Sequence, residues 1–315
     1  MKKLRHYVSI NDLTSKEILR ILAQAKRLKS ELKKRDKNKK LLDGKTLVMI
    51  FEKPSLRTRV SFEAGMTQLG GHAIYLAPSD IGLGKRETIK DSSRVLSRMA
   101  DIIMARTYKH ETVVELAKYA SVPVINGLSD LEHPCQILAD LLTIKEKKRK
   151  LKGLKLAFIG DGENNVVHSL AIAAGILGMD FRVAAPKGYW MLPELFKLAI
   201  NLVKENGGRI LQTVDPQVAV AGTDVVYTDT WVSMGDEREG KKRLKVLKNY
   251  QVTNKLMGLA KKDAIFMHDM PAYRGKEVSG DVIDGPQSVI IDQAENRLHA
   301  QKALICFLLG VKKYN

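Results

Sequence analysis

Residues 51–65 read FEKPSLRTRVSFEAG, and the fold is decided by what stands on either side of them. Before them runs Thr46-Leu47-Val48-Met49-Ile50-Phe51, an unbroken apolar stretch of the kind that fills a buried strand in a parallel sheet. Pro54 and Ser55 break it, and Val60, Phe62, Met66 and Leu69 then recur at helical spacing until Gly70-Gly71 stops the helix. Ser55 sits at the N-cap position, which places Arg57 and Arg59 near the positive end of the helix dipole, where cations are disfavoured. Two arginines beside Ser55, Thr58 and unpaired backbone N–H groups make sense around an anion, and the planar guanidinium suits phosphate or carboxylate. The stretch reads as a strand, a turn and a phosphate-sized oxyanion site.

Outward from this unit the chain alternates. A long amphipathic helix over 12–35, capped near Asn11 or Thr14, precedes it. Short strands are predicted at 72–76, 101–105 and 122–126, with helices at 91–99 and 111–120 between them. The segment APSDIGLGKRETIK, 77–90, reads as a functional loop longer than a simple connector. A long helix from Gln136 to about Lys150 opens a second alternation, with strands at 154–160, 181–184, 209–212, 225–227 and 264–267 and a last helix from Asp292 to Leu309. The pattern predicts an α/β protein of two doubly wound parallel-sheet domains linked by long helices and hinged near residue 134.

Composition bounds the function. The 315 residues carry 44% apolar side chains, as expected of globular domains, with no apolar run long enough to span a membrane. The basic N-terminus MKKLRHYVSIND lacks the apolar core of a secretory signal, and the two cysteines, Cys135 and Cys306, exclude a disulfide framework or a cysteine-based zinc site. A cytoplasmic location is expected. The net charge of +18 raises nucleic-acid binding as the rival class. Its densest runs, Lys33 to Lys40 and Lys145 to Lys150, end helices and hold no aromatic residue for a base to stack on, so they read as solvated helix ends.

Two glycine motifs invite nucleotide readings and fail. Gly160-Asp161-Gly162 has Asn165 where a dinucleotide site needs its third glycine, and Ala184-Ala185-Pro186 supplies no acid for a ribose. Gly44-Lys45-Thr46 has Lys39 where a P-loop has its first glycine, and it leads into a strand rather than a helix.

Ligands of open α/β sheets bind at the carboxyl ends of strands. Polar groups gather there at Ser55 to Arg59, Arg106, His133 and Gln136, Asp161 to Asn165, Asp229 to Met234, and His268 to Arg274. SLRTR resembles the Ser-Thr-Arg-Thr-Arg carbamoyl-phosphate signature of the aspartate and ornithine carbamoyltransferases, with Leu56 for the first Thr. NGLSDLEHPCQILADLLT resembles their His-Pro-x-Gln segment, DVVYTDTWVSMG their Asp-x-x-x-Ser-Met-Gly motif, and AENRLHAQKAL their closing helix. The similarity covers about residues 5–310.

The resemblance implies a carbamoyl-phosphate-binding domain over 1–135, joined by a C-terminal helix over 293–315, and an ornithine-binding domain over 136–292. It implies carbamoyl-phosphate contacts from Ser55, Leu56, Arg57, Thr58, Arg59, Arg106, His133, Gln136 and Arg297, and an ornithine site of Asn165, Asp229, Ser233 and Met234. The implied reaction gives citrulline and phosphate, with Arg106, His133 and Asp269 in catalytic roles, no metal or organic cofactor, and a homotrimer as the assembly. Three positions depart from the pattern. Asp269 replaces the cysteine of His-Cys-Leu-Pro beside the reacting amine, Gly82 replaces a Gln or His that reaches a neighbouring subunit, with Lys85 as a substitute, and Leu56 replaces Thr. A carbamoyltransferase with another amine acceptor and a non-catalytic binding protein on the same fold are the alternatives. Steep salt-dependent retention on DNA would favour the latter.

Overall fold

The computed structural model describes residues 4–84, 86–232 and 239–311, which form two compact units divided between Leu142 and Thr143 and again between Ala294 and Glu295, the last segment belonging to the first unit.

The first unit begins with a 3-10 turn at Ile10–Asp12 and then α1 (Ser15–Arg35). The helix starts later than its apolar pattern suggests because Thr14 and Glu17 cap each other reciprocally, which leaves Leu13 outside it. Lys33, Lys34 and Arg35 close its last turn, as the dipole favours. Four parallel strands follow, β1 (Thr46–Phe51), β2 (His72–Leu76), β3 (Ile102–Arg106) and β4 (Val124–Leu128), in the spatial order β2-β1-β3-β4. The register pairs Met49 with Tyr75 on one side and Met104 on the other. Among the helices of this unit, α2 (Leu56–Gln68) follows β1, α4 (Ile89–Met99) precedes β3 and α5 (His110–Tyr119) precedes β4. Residues expected to form a loop after β2 include a short helix, α3 (Pro78–Ile81). Val48, Ile50, Ile103, Ala105, Val113, Leu116 and Val124 make one fully buried core. The helix α6 (Pro134–Lys148) starts in this unit.

The second unit holds five parallel strands, β5 (Lys155–Ile159), β6 (Asp180–Ala184), β7 (Arg209–Thr213), β8 (Val225–Tyr227) and β9 (Ile265–Met267), ordered β7-β6-β5-β8-β9. Their helices are α7 (Asn165–Leu177), α8 (Pro193–Asn206), α9 (Pro216–Val220), α10 (Gly240–Leu247), α11 (Asn254–Met257) and α12 (Gly280–Ile283). The last helix, α13 (Ile290–Leu308), starts two residues before the expected Asp292. From Glu295 onward it belongs to the first unit.

Both sheets reverse their winding once, between β1 and β3 in the first unit and between β5 and β8 in the second. Such reversal points open a crevice at the carboxyl ends of the flanking strands, where ligands bind. Among the described residues, no helix is long and apolar enough to cross a membrane.

Candidate active site

At the first reversal point, Ser55 caps α2 and its hydroxyl accepts the Thr58 N–H at 3.3 Å. Thr58 is buried and its Oγ1 accepts from Arg297 Nη2 at 3.1 Å. Arg297 is 2% exposed on α13 and donates a second bond, Nη1 to Gln136 Oε1, at 2.6 Å. A third partner is Gln301, whose oxygen accepts from Arg297 at 3.2 Å when its amide faces as the surrounding polarity requires. Arg297 is thus held by three side-chain oxygens from three places in the chain.

Arg106 ends β3 and is 6% exposed, and His133, 3% exposed, immediately precedes α6. Burial lowers the His133 pKa well below its ordinary value, and Arg297, Arg106 and Arg57 lower it further. The imidazole is therefore neutral at physiological pH. Its three cationic neighbours show that this crevice concentrates positive charge around one histidine, as an anion site requires.

Arg59 is placed differently from its neighbours. It is exposed, pairs with Glu63 at 2.9 Å one turn along α2, and lies over the Tyr75 ring at 3.9 Å. Leu56 is 75% exposed and offers its side chain to no core.

At the second reversal point, Thr228 Oγ1 bonds the Ile159 carbonyl at 2.6 Å and ties the end of β8 to that of β5. Asp229, 7% exposed, follows directly. Its two oxygens accept from Asn164 Nδ2 at 2.7 Å and Thr230 N at 2.6 Å. Asn164 also caps α7, accepting Val166 N–H at 2.7 Å, so one side chain fixes both the helix start and the carboxylate. The half-buried Asn165 is the first residue of that helix. In the sequence Asn164 falls within the polar strand end Asp161 to Asn165, but its support of Asp229 was not legible, because that contact spans 65 positions.

Beyond β9 lies the third strand end. His268 is fully buried, its Nδ1 accepts Met270 N–H at 2.9 Å, and its Nε2 faces Glu277 Oε1 at 3.3 Å. Met270 takes a left-handed φ of 60°, a conformation that a non-glycine residue keeps only when its surroundings over-determine it. Glu277 also accepts the Tyr273 N–H, so one buried carboxylate braces both ends of the turn carrying Asp269. Sequence reading missed Glu277 for the same reason it missed the role of Asn164.

Asp229, His268 and Asp269 each bring a ligand atom within 4.8 Å of the others. A metal would need a histidine lone pair. Nδ1 spends its own on Met270, which leaves Nε2 to carry the proton toward Glu277. Two carboxylates remain, a pair suited to an organic ammonium group.

Gly162 stands where it does for packing. A Cβ there would lie 2.5 Å from the Tyr189 carbonyl, which accepts the Gly162 N–H at 2.8 Å, so this Gly-Asp-Gly needs no nucleotide to explain it.

A family model described as aspartate/ornithine carbamoyltransferase, carbamoyl-P binding domain matches residues 5–146, and one described as the Asp/Orn binding domain matches 152–308. This chain belongs to the aspartate/ornithine carbamoyltransferase family. It is 54% identical to an ornithine carbamoyltransferase of Halalkalibacterium halodurans over 98% of this chain and 96% of that one. The solved ornithine carbamoyltransferase of Pyrococcus furiosus superposes with a TM-score of 0.94 at 53% identity, covering 98% of both chains. The anabolic enzyme of Campylobacter jejuni gives 0.92 at 44% identity, over 98% of this chain and 100% of that one.

Against the family pattern, the departures at 56, 82 and 269 take on physical content. Gly82 ends α3 with a left-handed φ of 51°, where a glycine is at ease and a glutamine is strained. Asp269 puts a second carboxylate beside Asp229. Ser233, Met234 and Lys85, expected in the site or its loop, lie outside the described residues.

Proposed function

We propose that this chain transfers the carbamoyl group of carbamoyl phosphate to the δ-amine of L-ornithine, giving L-citrulline and phosphate. One observation carries the reading: a family member presents a cationic crevice around neutral His133 in one unit and a carboxylate pair in the other. An anionic donor fits the first and a diamino acid the second.

In this reading Ser55, Leu56, Arg57, Thr58 and Arg59 hold the phosphate, the backbone N–H of Leu56 serving in place of its side chain. Arg59 then leaves Glu63 for the ligand. Arg106, His133, Gln136 and Arg297 hold the carbamoyl end, with Arg106 and neutral His133 donating to the carbonyl oxygen. As the amine nitrogen forms its bond to the carbonyl carbon, negative charge gathers on that oxygen. Preorganised donors of this kind contribute about 3 kcal/mol each. The tetrahedral intermediate then collapses, the carbon–oxygen bond to phosphate breaks, and phosphate departs with the electron pair.

Asn165, Asp229, Ser233 and Met234 grip the amino-acid end of ornithine. Asp269 receives the proton that the amine releases as the new bond forms. No metal or organic cofactor has a step to perform here. The first unit, which runs to Leu142 and resumes at Glu295 and so contains Gln136, serves carbamoyl phosphate, and the unit 143–294 serves ornithine; the expected division at 135/136 and 292/293 falls a few residues earlier. The protein works in the cytoplasm as a homotrimer with active sites at subunit interfaces. Its place is arginine biosynthesis, since a Pyrococcus furiosus relative 53% identical is named an anabolic ornithine carbamoyltransferase.

The test is citrulline formation from carbamoyl phosphate and ornithine across pH, with an Asp269→Cys variant alongside. Activity in the wild type is the expected result. Activity in the variant alone would support a second reading that Asp269 favours, a different amine acceptor. Silence from both would overturn the proposal.

A further inference from the structure

Gln136 sits between two groups of fixed and opposite polarity. Its Oε1 accepts from Arg297 Nη1 at 2.6 Å, and its Nε2 donates to Asp140 Oδ1 at 2.8 Å. Gln136 is 1% exposed and Asp140 fully buried. They stand one turn apart on α6, the separation that places two side chains on the same face.

An arginine offers only donors, and the Asp140 oxygen that faces the amide accepts from it. Turning the amide over would set its N–H groups against the guanidinium and its oxygen against the carboxylate. Both contacts would then repel in a buried site, where unmade hydrogen bonds cost most. The orientation of Gln136 is therefore determined by its neighbours. Arg297 alone would tolerate the loss of the second contact, whereas Asp140 makes it a lock.

We infer that Asp140 is a positioning residue that, by fixing the Gln136 amide, makes the donor site specific for a carbamoyl rather than an acyl phosphate. The inference rests on the carbamoyl-phosphate reading. Carbamoyl and acetyl phosphate differ only in –NH2 against –CH3. An amide oxygen has two lone pairs, and with one given to Arg297 the other suits a carbamoyl N–H. Sites built to accept a hydrogen bond discriminate strongly against analogues that lack the donor. The phosphate half is common to both ligands and is held elsewhere, by the α2 cap and the arginines. Asp140 thus bears on the half of the ligand that carries identity and leaves the half that carries charge.

The experiment compares carbamoyl phosphate with acetyl phosphate and inorganic phosphate as competitors, in the wild type and in Asp140→Leu and Asp140→Asn. In Asp140→Leu, the KM for carbamoyl phosphate is expected to rise about tenfold, the effect of one buried bond lost, while the inhibition constants of the two competitors stay within about twofold. Asp140→Asn can still offer an acceptor and is expected to lose about threefold for carbamoyl phosphate alone. Adding Asp140→Leu to Gln136→Leu should cost little more than Gln136→Leu by itself, since the one acts through the other.

An equal loss for all three ligands would make Asp140 merely structural and overturn the inference. So would unchanged selectivity in whichever variant folds. Failure of the wild type to bind carbamoyl phosphate would instead overturn the functional reading, which separates the two.

Discussion

The two units solve the same problem with opposite charge. Each is a parallel sheet that reverses its winding once, and each gathers its polar residues at that reversal. In the first, α2 and the end of β3 bring arginines around a histidine that burial and those arginines keep neutral. In the second, the ends of β8 and β9 bring two carboxylates together, one of them tied down by Asn164 from the turn between β5 and α7. The sheet provides the place, and the strand-end side chains set the sign of what it binds. The units also differ in rigidity of support. Arg297 is held by the side-chain oxygens of Thr58, Gln136 and Gln301, whereas the turn carrying Asp269 is held through its backbone N–H groups, which Gln293, the His268 ring and Glu277 accept.

That asymmetry predicts the largest effect for Arg297→Met. It removes a charge and leaves three buried side chains short of a partner, so kcat/KM should fall about 10³-fold, with the loss appearing in carbamoyl-phosphate affinity as well as in turnover. A loss confined to ornithine would break the assignment of charge to units.

Asp269→Asn should lower kcat by about 10²-fold, the ordinary worth of a positioned base. A carboxylate beside an ammonium raises its pKa, so removing it should also move the acid limb of the pH profile to lower pH. A limb that stays in place would mean that Asp269 does not face the amine.

A smaller effect sharpens the comparison inside the first unit, where α13 carries a buried cation that is not in the site. Lys302 is fully buried and bonds Asn38 at 2.7 Å and Gln68 at 2.6 Å, both neutral acceptors. Burial lowers its pKa from 10.5 to about 8. The folded pKa lies below the unfolded one, so the charged form weakens the fold fully below pH 8, and the penalty fades as pH rises to 10.5. Urea midpoints measured at pH 7.5 and at pH 10 should therefore show a gain with pH in the wild type, and this gain should be smaller in Lys302→Met. The smallest effect concerns His133. Because it is already neutral, carbamoyl-phosphate affinity should change by less than about twofold between pH 6 and pH 8. A rise in affinity on crossing the ordinary histidine range would show it gaining a proton.

Most of the fold was legible in the chain. Buried parallel strands write themselves as apolar runs, and Thr46–Phe51 and Val225–Tyr227 lie where those runs stand, while His72–Leu76 is the part-exposed edge strand. The α1 start was legible as a choice between Asn11 and Thr14, which the reciprocal Thr14–Glu17 bonds decide for Thr14; the helical turn in the loop after β2 was not. In the candidate site, Ser55, Thr58, Arg106, His133 and Gln136 were readable because strand ends and helix starts announce themselves locally, whereas Arg297, inside α13, was named only through the family resemblance; the tertiary structure adds their mutual contacts. Arg59 was readable as a member of the motif but not as the partner of Glu63 and Tyr75.

The alternation of strands and helices and the residue types at each strand end were written in the chain, because both follow from periodicity and turn chemistry within a few positions. The pairing of residues far apart belonged to the tertiary structure alone. Arg297 meets Thr58 across 239 positions, Asn164 meets Asp229 across 65, and His133 loses its charge to burial and to arginines from three separate segments. A hydrogen bond or a Coulomb interaction depends on distance in space, and only the folded chain sets that distance.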